Sequence, residues 1–415
     1  MNVLYIHQYF TTRDGSGGTR SYEFARRLAA HGHGVTVLTG ATSVPEAKGG
    51  GRVTRLKIEG MDVIAIRVGY SNYMGHARRA WAFFEFMLSA LWEALWLRDI
   101  DAVYASSTPL TVGVIGRVAA ARHGAAFVFE LRDLWPEYIE DFGLSKSRIL
   151  MGSMRALNRY LYSCAERIVV ISDSMNRRVQ ALYRETRGKV VTIPMGADTG
   201  YGGPERFDVP RRSPDDFVVC YTGVLGFVNA VGWLLDVAAR LKDKGVSFVI
   251  AGDGKMRPAL EEKKKALGLD NVFFLGRINK KQALALVAGS GACAVTHRYR
   301  DEGGRVYINC LDSLTNKFFD YIAAGKPVII NHESESSAYV ERYRCGVRVP
   351  FDDPDAAALE ILRLKEDPDL ARRLGANGRR LATEYFDRDK MASRCEEVLS
   401  EVVREAKGSP AWMRP

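Results

Sequence analysis

Short apolar runs alternate with amphipathic segments along the first half of the chain. Residues 2–9 (NVLYIHQY) form a mostly apolar run, residues 19–31 repeat apolar positions at helical spacing, and residues 35–39 (VTVLT) are apolar again. Runs of this length are typical of buried strands, and helical spacing predicts an amphipathic helix. The order predicts a β-α-β unit that opens a doubly wound sheet. Further strands are predicted at residues 101–106, 126–132 and 167–171.

The second half repeats this alternation after a stretch of different composition. Residues 199–214 are rich in Gly, Pro and charged residues, which is typical of a linker. Beyond the linker, strands are predicted at residues 217–222, 248–251, 271–276, 292–296 and 328–330. From residue 354 onward the pattern is helical, and the last predicted helix covers residues 388–407. We therefore predict two doubly wound α/β domains, residues 1–198 and 215–387.

One segment of the first half is more apolar than a surface helix usually is. Residues 78–98 (RRAWAFFEFMLSALWEALWLR) carry three of the six Trp and have arginines at both ends. The run is near the lower length limit for crossing a bilayer, and Glu85 and Glu93 would be costly inside a lone span. We therefore expect a buried or interfacial helix, and arginines with tryptophans also suit a helix lying on an anionic membrane surface.

Composition narrows the class of protein. The 415 residues are 47% hydrophobic and 26% charged, as in an ordinary soluble globular protein. A net charge of +10 predicts an anionic partner, such as nucleic acid, an anionic membrane or a phosphorylated substrate. The sequence has no nucleic-acid motif, and basic charge alone is weak evidence for one. Six scattered Cys predict free thiols in a reducing compartment, and Met1 leads straight into a strand, so we expect no secretory signal.

Two acidic triplets near the C-terminus raise the possibility of a metal site. Both read DPD, at residues 353–355 and 367–369, and each directly precedes a helical pattern. Aspartates in that position usually cap the helix that follows. We therefore predict capping and no metal.

Residues 312–330 (DSLTNKFFDYIAAGKPVII) combine a helix start with charged side chains. The pattern predicts a loop, a helix that begins near Asn316 and a short buried strand. Thr315 or Ser313 is expected to cap the helix through its hydroxyl.

The charges around this helix start suit a phosphorylated sugar. Lys317 lies in the first turn, where free N–H groups favour a phosphate, and Asp312 and Asp320 stand on either side of it. Carboxylates in those places suit the hydroxyls of a ribose and a sugar. From the spacing alone, an ordinary surface pair of acids with a helix cap is the more common explanation.

The same stretch resembles the acid-x7-acid motif of the family 4 retaining glycosyltransferases, as Asp-x7-Asp in place of the commoner Glu-x7-Glu. It most resembles the fucosaminyltransferase-like subgroup of bacterial surface-polysaccharide pathways, in which a Lys follows the first acid by five places. In that family the first acid contacts the donor sugar and the second holds the ribose of the nucleotide. Other segments that resemble the family are FARRLAAHGHGVTVLT, FELRDLWPE, GDG and VFFLGR.

The chain departs from the family at three positions. Many family members have a His near Arg132, and typical members have an Arg near position 224 and a Lys near position 229, where this chain has Val224 and Asn229. Arg132 follows Glu130 at a predicted strand end, where doubly wound folds bind ligands, but it could equally form an ion pair with the adjacent aspartate. Other groups must then neutralise the phosphates, and the candidates are Lys317, Arg298, Arg300 and Arg305.

The resemblance gives a set of candidate site residues. Asp312, Lys317 and Arg132 are expected to be catalytic, and no metal or cofactor is implied beyond the nucleotide-sugar substrate. The expected donor-binding residues are Gly17, Gly18, Gly223, Asn229, Gly252, Gly276, Arg277, Arg298, Thr315, Asn316 and Asp320. For Gly17 and Gly18, a loop that only needs positive φ is about as good an explanation on spacing alone.

The resemblance covers about residues 1–400 and implies the GT-B fold, in which two Rossmann-like domains face a cleft and the last helix crosses back to the first domain. It implies retaining transfer of a hexosyl or N-acetylhexosaminyl group, with UDP the expected nucleotide, to a sugar or lipid-linked acceptor. The expected location is the cytoplasm, either in solution or peripherally on the inner face of the cell membrane. Two alternatives stay open: a nucleotide-sugar epimerase or hydrolase on the same fold, and a non-catalytic basic binding module.

Overall fold

The structure is a computed structural model that describes residues 1–69, 74–200, 207–301, 303–312 and 314–408. The chain divides into two compact units. Unit 1 is Met1–Pro194 together with the chain from Asp389 onward, and unit 2 is Met195–Arg388. Of the predicted linker, residues 201–206 lie outside the described residues.

Unit 1 is built on an eight-stranded sheet in the order β3-β4-β2-β1-β5-β6-β7-β8. All neighbouring strands are parallel except β3 and β4, which pair antiparallel at one edge. The strands are β1 (Asn2–Ile6), β2 (Gly34–Gly40), β3 (Val53–Ile58), β4 (Met61–Ile66), β5 (Ala102–Ser106), β6 (Ala126–Leu131), β7 (Arg167–Val170) and β8 (Val190–Thr192).

Helices cover both faces of this sheet. Those that connect its strands are α1 (Arg20–Ala30), α2 (His76–Leu95), α3 (Thr111–His123), α4 (Glu137–Asp141), α5 (Arg148–Cys164) and α6 (Asp173–Leu182). The last helix of the chain, α15 (Arg388–Gly408), returns to this unit. Its apolar residues Cys395, Leu399 and Val402 lie in one core with α1 and one face of the sheet.

Unit 2 is built on a six-stranded parallel sheet in the order β11-β10-β9-β12-β13-β14. Its strands are β9 (Phe217–Thr222), β10 (Val246–Ala251), β11 (Val272–Gly276), β12 (Ala292–Val295), β13 (Val328–Ile330) and β14 (Gly346–Arg348). Its helices are α7 (Val231–Arg240), α8 (Arg257–Ala266), α9 (Lys280–Ala288), α10 (Ile308–Leu311), α11 (Asn316–Ala323), α12 (Glu335–Tyr343), α13 (Pro354–Glu366) and α14 (Pro368–Tyr385). Two doubly wound α/β units are therefore confirmed.

The strand order of unit 2 reverses beside β9. From β9 the chain proceeds outward through β10 and β11, and then returns to place β12 on the other side of β9. Because all the strands are parallel, their carboxyl ends meet at one edge, and ligands of such sheets bind where the order reverses. That edge carries the loops after β9, β10, β12 and β13, and α11 lies beside β12 and β13.

Local capping follows the sequence in two places and differs in one. Asp353 and Asp367 accept hydrogen bonds of 2.8 Å from the N–H groups of Ala356 and Leu370, so the predicted capping role of the DPD triplets is confirmed. Thr315 has the extended backbone of an N-cap but its side chain makes no capping bond, so Thr315 as the capping side chain is wrong. Ser313, the other predicted cap, lies outside the described residues.

Candidate functional site

Three glycine loops lie against one another at the carboxyl edge of unit 2. The N–H of Gly223 donates to the carbonyl of Ala251 at 2.9 Å, and the N–H of Gly252 donates to the carbonyl of Gly276 at 2.8 Å. A Cβ added at Gly252 would lie 1.7 Å from the carbonyl oxygen of Gly223. The loops after β9 and β10 can approach this closely only because Gly252 lacks a side chain. The structure thus brings three of the predicted donor-binding glycines together.

Lys317 reaches these loops from the first turn of α11. Its Nζ donates to the hydroxyl of Tyr221 at 3.2 Å and to Oδ1 of Asn229 at 3.3 Å, and it lies 4.6 Å from the centre of the Tyr221 ring. The residue is 9% exposed, and burial lowers the pKa of its amine from 10.5 to about 7. Both hydrogen-bond partners are uncharged, and among the described residues no carboxylate is bonded to the amine. Such a site favours a bound anion, which would restore the positive charge.

Two histidines that the sequence analysis did not select lie near Lys317. His297 follows β12 and His332 follows β13, and their rings stack with centres 4.7 Å apart at an angle of 7°. Both are buried, and burial lowers both pKa values, that of His332 to about 3, with the Lys317 charge as a further cause. Both rings are therefore neutral at physiological pH. The available signal was positional, since each His lies two residues beyond a strand that ends at this edge of the sheet.

The N-cap side chain of α11 makes no hydrogen bond to the backbone N–H groups of the first turn. Thr315 Oγ1 is buried and has no hydrogen-bond partner among the described residues. The helix starts at Asn316, which is half-buried, and Asp312 is buried just before it, at the C-cap of α10. Free N–H groups at a helix start attract anions. The predicted residues Asp312, Thr315, Asn316 and Lys317 thus surround one helix start.

Asp320 lies one turn further along α11 and forms a buried ion pair. Its Oδ2 contacts Nζ of Lys280 at 2.5 Å, with the two side chains only 10% and 7% exposed. Its Oδ1 is buried without a hydrogen-bond partner in the described part of the chain. Lys280 lies in the first turn of α9 and was missed by the sequence analysis, because its contact joins positions 40 residues apart. Asp320 can therefore still accept one hydrogen bond.

The arginines predicted near the phosphates lie in different settings. The guanidinium of Arg298 lies 4.1 Å from the centre of the Phe227 ring, and its backbone N–H donates to the carbonyl of Val228 at 2.7 Å. Arg298 therefore lies beside the segment that carries Asn229. Arg300 is exposed. Arg277 is exposed as well and lies 3.8 Å from Asp253, in the loop after β10.

Arg132 contacts a histidine at the carboxyl edge of unit 1. Its Nη1 lies 3.1 Å from Nε2 of His7, whose Nδ1 lies 2.8 Å from the hydroxyl of Ser21. Burial, followed by the Arg132 charge, lowers the pKa of His7, so Nε2 accepts and Nδ1 donates. Asp133 instead accepts a hydrogen bond of 2.8 Å from Thr108. Arg132 therefore pairs with His7 rather than with Asp133.

Glu130, at the same strand end, is buried in a network of its own. Its Oε1 accepts from Nε of Arg20 and from the Tyr104 hydroxyl, both at 2.7 Å, and neither charged side chain is exposed. Arg20 also donates to the carbonyl of Ile193 at 2.9 Å. Both charges of this buried pair have partners within the protein, so the pair presents no free charge to a ligand.

Gly17 and Gly18 belong to unit 1 and the other predicted donor-binding residues to unit 2. Gly17 has φ +135°, which agrees with a loop that needs a residue without a side chain. Their predicted role in donor binding stays a prediction. The described residues contain no group of three or more His, Cys, Asp or Glu side chains placed to hold a metal ion.

Two family models match this chain in succession. The model described as "Glycosyl transferase 4-like domain" matches residues 15–196, and the model described as "Glycosyl transferases group 1" matches residues 204–381. Together they cover most of the chain.

Curated relatives are similar over parts of the chain. D-rhamnosyltransferase WbpZ of Pseudomonas aeruginosa is 28% identical over 56% of this chain and 58% of its own length. Alpha-D-kanosaminyltransferase of Streptomyces kanamyceticus is 28% identical over 42% of each protein. The chain thus spans about half the length of these relatives. The lipopolysaccharide core biosynthesis glycosyltransferase LpsD of Rhizobium meliloti is 24% identical over 68% of this chain and 80% of its own.

Solved structures share the fold over nearly the whole chain. Sucrose-phosphate synthase from Thermosynechococcus elongatus superimposes with a TM-score of 0.77 at 18% identity, covering 98% of this chain and all of that one. HepE from Anabaena, in complex with UDP-glucose, superimposes with a TM-score of 0.68 at 18% identity, covering 97% of this chain and 100% of its own.

Proposed function

This chain belongs to the family 4 glycosyltransferases of the GT-B fold, and we propose that it transfers a sugar from a UDP-linked donor to an acceptor hydroxyl in the synthesis of a bacterial surface polysaccharide. The transferred group is proposed to be a hexosyl or N-acetylhexosaminyl unit that keeps its anomeric configuration. The lipopolysaccharide enzyme among the relatives supports the polysaccharide setting.

The observation that carries this proposal is the buried amine of Lys317. It lies at the start of α11, its hydrogen-bond partners are neutral, and its pKa is near 7. A diphosphate would supply the missing negative charge and would also accept from the free N–H groups of the helix. A buried amine with neutral partners at this edge of a doubly wound sheet suits the diphosphate of a nucleotide-sugar donor.

The two acids of the motif are proposed to hold the two sugars of the donor. Asp320 would accept a ribose hydroxyl through Oδ1, the oxygen that Lys280 leaves without a partner. Asp312, buried before the helix, would contact the transferred sugar. The loop at Gly276 would lie beside the base, as the family resemblance implies. The UDP-glucose complex of HepE supports uracil as that base.

The proposed chemistry is stabilisation of the leaving diphosphate by fixed positive groups. As the bond between sugar and phosphate breaks, negative charge grows on the phosphate oxygens. Protonated Lys317, the N–H groups of α11 and Arg298 would stabilise that charge without a metal ion. The acceptor hydroxyl would attack on the face that the diphosphate leaves and give its proton to a phosphate oxygen. Arg132, fixed by His7, is the catalytic candidate of unit 1.

The first test is a thermal-shift and calorimetric screen of UDP-, GDP- and dTDP-sugars. We expect UDP and a UDP-sugar to raise the melting temperature, because a ligand that binds only the folded state stabilises it. A larger shift with GDP- or dTDP-sugars would contradict the proposed base.

The second test separates transfer from the two alternative functions. The donor that binds is incubated alone and with a panel of sugar and lipid-linked acceptors. Transfer predicts a new glycoside only with acceptor, and its anomeric configuration is read by NMR. Conversion or hydrolysis of donor alone at the full rate would favour an epimerase or hydrolase. Salt-sensitive binding to nucleic acid without any nucleotide binding would favour a basic binding module.

A further inference from the structure

Helix α2 exposes a continuous row of large apolar side chains. Trp81, Trp92 and Trp96 are 66%, 63% and 69% exposed. Together with two further exposed residues they follow helical spacing along α2 and its C-cap: Trp81, Phe84, Leu88, Trp92 and Trp96. From Trp81 to Trp96 this row is about 22 Å long at about 1.5 Å per residue. We call these five residues the α2 stripe.

The opposite side of α2 is packed with mostly small residues. Ala82, Phe86, Ala90 and Ala94 are almost completely buried, and α2 lies against α3 there. A helix that only covers a core places its bulkiest apolar groups inward, because burial of large apolar area is what stabilises it. In α2 and its C-cap, all three tryptophans face outward instead. An exposed apolar row of this size marks a binding surface rather than a core helix.

Exposed arginines lie at both ends of the segment that carries the stripe and on helix α5. Arg78 and Arg98, at the two ends of the segment, are exposed. On the same face of the sheet, α3 packs against both α2 and α5, and α5 exposes Arg148 and Arg159. Exposed apolar side chains flanked by arginines complement a lipid surface, because its interior is apolar and its headgroups carry negative charge.

We propose that the α2 stripe binds the surface of an anionic lipid bilayer, with α2 in the plane of the interface and the arginines of α2 and α5 on the lipid headgroups. Tryptophan is the side chain most suited to that depth, because its ring is apolar and its N–H remains near water. Within the described residues no helix combines the length and apolarity needed to cross a bilayer. The proposal concerns a surface of unit 1 and does not depend on the activity proposed for unit 2.

One acidic residue, Glu85, lies on the same side of the helix as the α2 stripe and gives a further test of the proposal. At about 100° per residue, Glu85 falls between Trp92 and Trp96 on the helical wheel. It is half-buried, and a carboxylate in this position opposes binding to a negatively charged bilayer. Replacing it by Gln should therefore strengthen vesicle binding, whereas a protein–protein surface gives no reason for dependence on lipid charge.

The test is flotation of the full chain with vesicles of phosphatidylcholine, with and without roughly 30% phosphatidylglycerol. We expect binding to the anionic vesicles, its release at about 1 M salt, where electrostatic reach falls to about 3 Å, and about tenfold weaker binding for Trp92→Ser/Trp96→Ser. Glu85→Gln should bind more tightly than the wild type. The matched control is Leu359→Ser, which removes a side chain 68% exposed on α13 of unit 2 and should change nothing.

Folding and donor binding are measured in parallel. The tryptophan variant should keep the melting temperature and UDP affinity of the wild type, because both side chains are exposed. The proposal is overturned if the wild type does not float with anionic vesicles, or if the tryptophan variant floats as well as the wild type. It is also overturned if light scattering shows that the variant only dissolves a dimer of this chain. Extraction by detergent alone, and not by salt or carbonate, would contradict binding in the interface plane.

Discussion

At the scale of single residues, Lys317 shows a conflict between stability and binding. Its amine is buried with neutral partners, and its pKa is about 7 in place of 10.5. The folded protein without ligand therefore keeps a group that would be more stable, as a cation, in the unfolded chain. Binding sites often carry such a cost because the missing partner is the ligand.

Replacing Lys317 by Met should stabilise the protein without ligand and weaken UDP binding. Between pH 7 and 10.5 the unfolded chain binds more protons at this residue than the folded one, so the stability of the wild type rises with pH in that window. The gain from Lys317→Met should thus be about 1–3 kcal/mol near pH 7 and smaller near pH 9. Urea unfolding of both proteins at the two pH values measures it. A variant less stable than the wild type at both values would contradict this account.

Lys317 should carry more of the leaving-group stabilisation than any single arginine. Lys317→Ala is expected to lower turnover by about 10²–10³-fold, as loss of one preorganised donor does. UDP affinity should fall less, because the interaction strengthens as the bond breaks. The comparison is with Arg298→Ala, Arg300→Ala and Arg305→Ala, each measured for turnover and for UDP affinity. If one of these variants loses clearly more turnover than Lys317→Ala, the segment that carries these arginines, and not Lys317, supplies most of the leaving-group stabilisation.

Asp320 pairs with Lys280 and is proposed to bind the ribose, and a double variant can separate these two roles. Asp320→Ala should weaken UDP binding by about 1–3 kcal/mol through the lost ribose contact. It should also destabilise the fold, because Lys280 is left as an unpaired buried charge. Asp320→Ala/Lys280→Met removes that charge, so it should recover stability but not UDP affinity. Calorimetry and urea unfolding measure the two effects, and unchanged UDP affinity in a folded Asp320→Ala protein would refute the ribose role.

At the scale of elements, the loops at the carboxyl edge of unit 2 depend on close backbone contact. A Cβ at Gly252 would meet the carbonyl oxygen of Gly223 at 1.7 Å, and Gly252 has φ +150°. Backbone atoms cannot move aside as a flexible side chain can. The loops that would surround the donor are therefore fixed by the sheet and by one another.

Gly252→Ala should destabilise unit 2 by about 1–3 kcal/mol or more, from strain in the backbone and displacement of the loop after β9. The matched control is Gly152→Ala in α5, where an added Cβ has no neighbour within 4 Å. That change should be neutral or stabilising by about 0.5–1 kcal/mol, since alanine is the better helix former. Urea unfolding compares the two. Equal stability of both variants would mean that the loops adjust freely.

At the scale of the whole molecule, the chain first forms most of unit 1, then forms unit 2, and then returns to unit 1 through α15. Helix α15 supplies Cys395, Leu399 and Val402 to the core of unit 1, although about 200 residues of unit 2 separate it from β8. Helix α15 therefore completes, together with α1, the core on one face of the unit 1 sheet.

Ending the chain after Arg388 should unfold or loosen unit 1 and spare unit 2. The removed helix covers apolar residues of the sheet such as Val3 and Val37, which would then face water. We expect binding of a hydrophobic dye and loss of one unfolding transition, with the transition of unit 2 retained. Calorimetry of the truncated and full chains shows this. Two intact transitions in the truncated chain would mean that α15 contributes little to unit 1.

The sequence by itself determined what depends on neighbours in the chain. The alternation of apolar runs and amphipathic segments predicted both α/β units, since strand and helix periods are local properties. The aspartates of the DPD triplets were predicted as caps, because the capping bond joins residues three apart. The position of Lys317 in the first turn of α11 was predicted for the same reason. The failure at Thr315 shows the limit of such local rules, since its backbone is that of a cap but its hydroxyl bonds no N–H of the helix.

The tertiary structure alone decided which distant residues meet. Lys317 lies on Tyr221, which is 96 positions away, and Asp320 pairs with Lys280, 40 positions away. The stacked pair of His297 and His332 forms because β12 and β13 are neighbours in the sheet. No local pattern encodes these contacts, because they follow from strand order and from the closing of loops over one another. Burial also lowers the pKa of Lys317. That burial comes from the whole fold and not from the sequence around the residue.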